Sequence, residues 1–222
     1  MSTHRIAVVG GTGPQGKGLA YRWARHGHQV VIGSRSAERA LETAGEIATR
    51  LEEEGGTSVV TGAANADAVA DCDVVAIVVP WNGHDELVEA LPLDGKTVIS
   101  CVNPLGFDKQ GPHGLEVEQG SAAESTAALH PGAAVAGAFH HVSAVSLWGS
   151  EEFLDHEDVL VCGDSAEAKD VAIELASAVV GRPGVDAGAL RLARQLEPLT
   201  AVLISVNKKY KVRSGIRVAG LE

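Results

Sequence analysis

Arg5-Ile6-Ala7-Val8-Val9-Gly10-Gly11-Thr12-Gly13-Pro14-Gln15-Gly16 passes from an apolar run into a glycine cluster, then continues as Lys17-Gly18-Leu19-Ala20-Tyr21-Arg22-Trp23-Ala24. The apolar run predicts a buried strand and the last stretch a helix. Gly11, Gly13 and Gly16 fit the spacing G-x-G-x-x-G between them. Gly11 is assigned the tight turn, Gly13 the close approach of backbone to a pyrophosphate, and Gly16 the close packing of helix on strand. Pro14 suits the first helical turn, where its missing N–H costs nothing. The free N–H groups and positive end of that helix then face an anion. A second strand follows at His28–Ile32, which is the context that turns a glycine pattern into a dinucleotide site.

Working outward, residues 37–54 read as a helix closed by Gly55-Gly56. Val59-Val60-Thr61 reads as a third strand, and 65–70 as a short helix. The near-continuous apolar run Asp73–Val79 is expected of a parallel strand covered on both faces. A helix over 84–91, a strand at 96–100, a helix over 121–129 and a strand at 134–138 complete the alternation. It predicts an α/β fold with a doubly wound parallel sheet of the Rossmann type. Residues 103–120, rich in glycine, are expected to be an irregular loop. The polar stretch 149–158 suggests a boundary, with a dinucleotide domain at 1–155 and a smaller C-terminal α/β domain at 156–222. The latter holds a strand at 159–162, a helix over 165–179, the segment 184–187 and a long helix from Ala189 to about Val206.

Composition narrows the classes. With 45% hydrophobic and 21% charged residues the 222-residue chain is ordinary globular protein. Its net charge of −11 argues against general binding to nucleic acid or to an anionic membrane. The scattered Cys72, Cys101 and Cys162 read as small buried residues, not a disulfide framework. No N-terminal stretch reads as a signal peptide and no apolar run is long enough for a membrane span, so the expected location is cytoplasmic.

Cofactor choice is read at the end of the second strand. Gly33-Ser34-Arg35-Ser36-Ala37-Glu38-Arg39 offers no carboxylate there for ribose hydroxyls. It offers a hydroxyl at Ser34 and guanidiniums at Arg35 and Arg39, which suit a 2′-phosphate and hence NADP. Beyond the carboxyl ends of later strands lie Val79-Pro80-Trp81, Cys101-Val102-Asn103-Pro104 and Phe139-His140-His141-Val142-Ser143-Ala144, with Trp81 read first as a packing residue. No metal site is expected: adjacent His140 and His141 point to opposite faces in extended chain, and no His-x-x-x-His or Cys-x-x-Cys is present. No hydrolytic constellation appears either. A cofactor site without acid–base machinery suits direct hydride transfer.

The combination of Gly10–Ala20, Gly33-Ser34-Arg35, Val79-Pro80-Trp81, Phe139-His140, Val161-Cys162-Gly163-Asp164 and Asp186-Ala187-Gly188 resembles the NADPH-dependent reductases of the 8-hydroxy-5-deazaflavin coenzyme (coenzyme F-420). The resemblance runs along nearly the whole chain and implies an oxidoreductase passing hydride between NADP(H) and that coenzyme. It implies that Gly11, Thr12, Gly13, Pro14, Gln15 and Gly16 form the pyrophosphate turn, with Ser34, Arg35 and Arg39 at the 2′-phosphate. Val79, Pro80, Val102 and Ala144 would line the ribose–nicotinamide end, and His140 would lie beside the deazaflavin. The chain departs from the family pattern at His141-Val142-Ser143, where Thr-Ile-Pro is expected, and in a more basic tail from Lys208 to Arg217. That tail is a solvated terminus or a patch that offsets the acidic field for a co-substrate carrying a phosphate and a polyglutamate tail. The expected partners are these two small molecules and, at most, a second copy of the chain in a homodimer; no nucleic acid and no membrane. Two alternatives stay open: an NADPH-dependent reductase of a flavin or small imine or carbonyl, and a non-catalytic NADPH sensor. A roomy second pocket beside the nicotinamide favours an enzyme, and a sealed surface the sensor.

Overall fold

A computed structural model describes residues 2–57 and 59–221. In chain order its elements are β1 (Arg5–Val9), α1 (Pro14–Arg25), β2 (Gln29–Ser34), α2 (Ala37–Glu53), β3 (Val60–Ala64), α3 (Asn65–Ala70), β4 (Val74–Ile77), α4 (His84–Glu89) and β5 (Thr97–Ser100). Then follow β6 (Leu105–Asp108), β7 (Gly111–Gly114), α5 (Ala122–Leu129), β8 (Ala134–Gly137), α6 (Ala144–Leu147), β9 (Leu160–Gly163), α7 (Ala166–Val180), β10 (Val185–Gly188) and α8 (Ala193–Tyr210).

Eight strands make one sheet in the order β10-β9-β8-β5-β4-β1-β2-β3. Every neighbouring pair is parallel except β8 with β9. Alternation along β1 shows why both faces must be covered. Ile6 and Val8 pack with Leu19 and Trp23 of α1, Ile47 of α2 and Leu175 of α7. Ala7 and Val9 join the opposite core with Ala68 of α3, Val88 of α4 and Ala122 of α5. The expected doubly wound sheet is what forms, and its strand order reverses between β1 and β4. Ligands in such sheets bind outside the carboxyl ends at that reversal.

Two expectations meet a different layout. Residues 105–114 are not irregular: β6 and β7 form an antiparallel hairpin, with Asp108 Oδ1 accepting from the N–H groups of Gln110 and Gly111 across its turn. Glycine and proline disguised it, because short edge strands tolerate both where a central strand would not. The hairpin is packed on α8, where Gly114 lies against Pro198 with no room for a side chain. Residues beyond 155 supply β9 and β10 to the edge of the same sheet, so the expected division at residue 155 falls between two adjacent strands of it.

One buried cation ties α1 to the loop that follows β8. Arg22 is fully buried, and its guanidinium donates to the carbonyls of Leu147 (2.8 Å), Glu151 (2.6 Å), Glu152 (2.7 Å) and Ser146 (2.9 Å). The carbonyls of Leu147 and Glu152, which have no other donor among the described residues, are thereby paired. Replacing Arg22 by Met keeps much of the volume and strands the Leu147 and Glu152 carbonyls, while Ser146 keeps the Gly149 N–H and Glu151 keeps Arg25. At about 1–3 kcal/mol per unpaired buried group, partly relieved by water, a loss of about 3 kcal/mol is expected. Urea unfolding should show the midpoint falling at constant slope; a loss below about 1 kcal/mol contradicts the anchoring role.

Candidate functional site

The glycine turn sits at the strand-order reversal, as its position after β1 requires. Gly10 takes the positive φ (+77°), not Gly11. A Cβ on Gly10 would stand 2.6 Å from the Val78 carbonyl at the exit of β4. Gly11 is buried, and its N–H donates to the carbonyls of Val8 and Gly33. A Cβ on Gly16 would lie 2.8 Å from both the Gly10 carbonyl and the Gly11 Cα, so the close-packing role read from the sequence holds. Gly13 differs from all three. Its backbone is extended (φ −76°, ψ 159°) and the nearest atom to an added Cβ is 3.5 Å away. It caps α1 with Pro14 next, and no side chain covers that helix end among the described residues.

Two cavities meet here. The larger, of about 670 Å³, is lined by Gly10, Thr12, Gly13, Ser34, Arg35 and Arg39 on one side. Val79, Pro80, Asn82, Glu86 and Leu87 line the other, together with Asn65. β2 runs through Ser34, two residues further than the sequence suggested, which delivers Arg35 to the rim. Ser34 Oγ accepts from the Ser36 N–H, leaving its own proton free to donate. Arg35 and Arg39 are exposed, and neither forms a salt bridge among the described residues. Two unpaired guanidiniums four residues apart, beside an uncapped helix end, could hold an anion in two lobes.

The smaller cavity, of about 450 Å³, shares Gly13, Val78, Val79 and Pro80 with the first. Its other walls are the first turn of α1, Cys101 and Asn103 after β5, His140–Ala144 after β8, and Thr200, Leu203, Ile204 and Asn207 on one face of α8. The corner after β8 is held by side chains from three elements. Phe139 takes a positive φ of 63°, a conformation costly for a bulky residue. Its carbonyl accepts from Gln15 Nε2 at 3.3 Å. The next carbonyl, of His140, accepts from Asn103 Nδ2 (2.7 Å) and Thr200 Oγ1 (2.8 Å). With its amide oriented by that bond, Asn103 leaves Oδ1 buried and without a partner among the described residues.

Among the described residues no Asp, Glu, Lys or Arg lines the smaller cavity. Burial, and then the neighbouring His141, push His140 down to about 3, with only the Val102 backbone near enough to oppose. Both ring nitrogens lack a well-formed hydrogen bond, and Nε2 lies against Gly137. His141 is also lowered by burial; its Nε2 donates to the Asp158 carbonyl at 2.7 Å. Behind it Glu157 is almost fully buried, with Oε2 unbonded and 4.0 Å from His141 Nε2, and burial raises it to about 7. Cys101 is raised well above an ordinary thiol by the same cause and is no nucleophile at neutral pH.

Of the residues singled out by sequence, Thr12, Gly13, Pro14, Gln15, Gly16, Ser34, Arg35, Arg39, Val79, Pro80, His140 and Ala144 line one cavity or both. Gly11 lies beneath the turn. Val102 belongs to the core, while its neighbours Cys101 and Asn103 reach the wall. Trp81 packs against His84 in that core, outside both linings. Sequence reading gave the segment 156–222 a share in the second site but named no residue on the face of α8. Its signal was there: positions 200, 203, 204 and 207 recur at helical spacing but mix Thr, Leu, Ile and Asn, which disguises a cavity wall as a weakly amphipathic helix.

Comparison with known proteins follows from this geometry. The sequence profile described as "NADP oxidoreductase coenzyme F420-dependent" matches residues 5–104. The F420-dependent NADP reductase of Methanothermobacter thermautotrophicus is 37% identical, over 98% of this chain and 95% of its own length. Its counterpart in Methanocaldococcus jannaschii is 36% identical, over 98% and 99%. A crystal structure described as a putative F420-dependent NADP reductase from Arthrobacter superposes with a TM-score of 0.79 at 27% identity, covering 97% of this chain and 99% of that one.

The turn yields a paired prediction. Gly13→Val should fold with near-normal stability, since its conformation and space admit a side chain, yet lose NADPH affinity by at least about tenfold as that side chain fills the approach to the helix end. Gly16→Val should lose about 2–3 kcal/mol of stability by overpacking. Calorimetry with NADPH titration separates the two; a destabilised Gly13→Val, or one that binds normally, contradicts the assignment.

Glu157 yields a pH prediction. A carboxyl raised from 4.5 to about 7 contributes stability that is present below pH 4.5 and lost as pH rises through 7. Glu157→Gln should therefore gain on the parent protein between pH 5 and pH 8 in denaturant unfolding. A stability difference independent of pH would show the carboxyl to be ionised throughout.

Proposed function

The chain belongs to the F420-dependent NADP reductase family, and on that premise we infer how its two cavities divide the work of an NADP(H):deazaflavin oxidoreductase. The observation that carries the reading is the shared wall of Gly13, Val78, Val79 and Pro80, which joins a cavity with cationic groups at its rim to a neutral one. The larger cavity suits NADP(H). Gly13 and the uncapped end of α1 face the pyrophosphate, and Ser34, Arg35 and Arg39 take the 2′-phosphate. The smaller cavity suits the deazaflavin ring, flanked by Val79 and Ala144 towards the nicotinamide and by His140 and the α8 face on the far side. When both are bound, the nicotinamide and deazaflavin supply the donor and acceptor carbons between which hydride passes.

What the chain contributes is position. Gln15, Asn103 and Thr200 converge on successive carbonyls of the Phe139-His140 corner and fix the wall against which the second ring rests. Neutral His140 and His141 add no charge that would trap an anionic ring. A positioned pair is the arrangement that removes the entropy cost of a two-substrate reaction. A cavity of about 450 Å³ beside the nicotinamide end also favours an enzyme over a sensor.

Loss of deazaflavin absorbance on mixing the protein with NADPH and the oxidised coenzyme tests the activity. In the same assay Arg35→Ala should weaken NADPH by about 2 kcal/mol while turnover with NADH changes little. Equal losses with both nucleotides would remove Arg35 from the 2′-phosphate.

A further inference from the structure

The cavity assigned to the deazaflavin ring contains no cation, yet the coenzyme continues from that ring into a phosphate and a string of glutamates. On a protein of net charge −11 such a tail meets a repulsive field unless a local group offsets it. α8 supplies the direction. Thr200, Leu203, Ile204 and Asn207 line the cavity, and residues four apart on a helix lie one above the other. The row from Ile204 therefore runs on to Lys208, and Lys211, just past the helix end, stays beside cavity-lining Asn207, whose carbonyl accepts its N–H at 2.9 Å. Lys209 falls on the outward face shared with exposed Val202 and Ser205, and its ammonium lies 5.4 Å from the Tyr210 ring.

Three features set the two cavity-side lysines apart from an ordinary frayed end. Lys208 and Lys211 are exposed and form no salt bridge among the described residues. Lys211 ends α8 in the left-handed conformation (φ 59°), which stops the helix four residues beyond Asn207 of the cavity wall. The turn beyond it is pinned back, since Asn207 Oδ1 accepts from both the N–H (2.6 Å) and the hydroxyl (2.8 Å) of Ser214. Further on, the Val218 N–H reaches Asp158 Oδ2 and Arg217 reaches the Asp155 carbonyl. The tail is thus strapped to the body of the protein and holds the end of α8 in place.

We propose that Lys208 and Lys211 form the docking site for the anionic tail of the deazaflavin coenzyme, an extension of the ring cavity along the α8 face. The proposal rests on the functional reading above. Exposed cations act chiefly on encounter rate and are screened by salt. Lys209, one residue away with the same charge, takes no part because its face of the helix points elsewhere.

The test compares Lys208→Gln, Lys211→Gln, their double variant and Lys209→Gln, each removing one charge per site. Two acceptors are used with NADPH: the complete coenzyme, and the deazaflavin riboside that lacks phosphate and glutamates. At low ionic strength each cavity-side variant should lose roughly threefold, and the double variant roughly tenfold, in kcat/KM for the complete coenzyme. The loss should shrink at high salt. Lys209→Gln, turnover of the riboside and the KM for NADPH should be unchanged. Fluorescence titration of the complete coenzyme should show the same ranking without turnover. An equal loss in Lys209→Gln, an equal loss with the riboside, or a loss that salt does not reduce would each overturn the proposal. Failure of the parent protein to reduce either acceptor would instead remove the activity on which it rests, and is told apart by the parent assay alone.

Discussion

Everything at the site depends on how closely three pieces of backbone approach one another where β1 ends. Gly10 abuts the carbonyl of Val78, and Gly16 abuts Gly10 and Gly11, at separations that admit no Cβ. That contact draws the start of α1 down onto the sheet at the reversal of strand order. It fixes the uncapped helix end and brings Val78-Val79-Pro80 to the wall common to both cavities. Dispersion and burial on the two sheet faces hold the layers together, but only this absence of side chains lets the layers come close enough to leave a dinucleotide-sized cavity beside a second one.

Charge is distributed to the same plan. The protein is strongly acidic overall, and among the described residues Arg35 and Arg39 at the larger cavity are without a salt bridge, as are Lys208 and Lys211, which the proposal adds beyond the α8 wall of the smaller. Between them the smaller cavity is polar but uncharged, and burial keeps its two histidines neutral. On the proposed reading, the phosphate-bearing ends of two substrates would be held apart while their rings meet over the shared wall. Bound charge at the rims is solvated and inexpensive, whereas charge at the centre would carry a desolvation cost in a buried pocket.

The sequence revealed the parts that obey local rules. A buried parallel strand is apolar without interruption, so β1 and β4 were legible; a glycine-to-helix transition and the absence of a carboxylate after β2 were legible for the same reason. What stayed hidden depends on tertiary placement. Gly10 and Gly11 are indistinguishable in sequence, and only the approach of Val78 decides which takes the left-handed turn. The β6–β7 hairpin looked like loop because its support comes from α8, ninety residues away. Val102 and Asn103 are adjacent in the segment after β5, yet one is buried in the core and the other reaches the cavity wall. The α8 wall belongs to a segment that the polar stretch near residue 155 made look like a separate unit. The basic tail showed as charge in the sequence, but which lysines face the cavity followed only from the helical face that lines it.

The central claim is that hydride passes directly between two rings held face to face. NADPH carrying deuterium on the transferring position of nicotinamide C4 tests it most directly, with the reduced deazaflavin recovered and read by NMR. The account predicts one deuterium per turnover at the acceptor carbon of the deazaflavin and no label in the solvent. Label washed into water, or a reduced coenzyme carrying solvent hydrogen at that carbon, would contradict it.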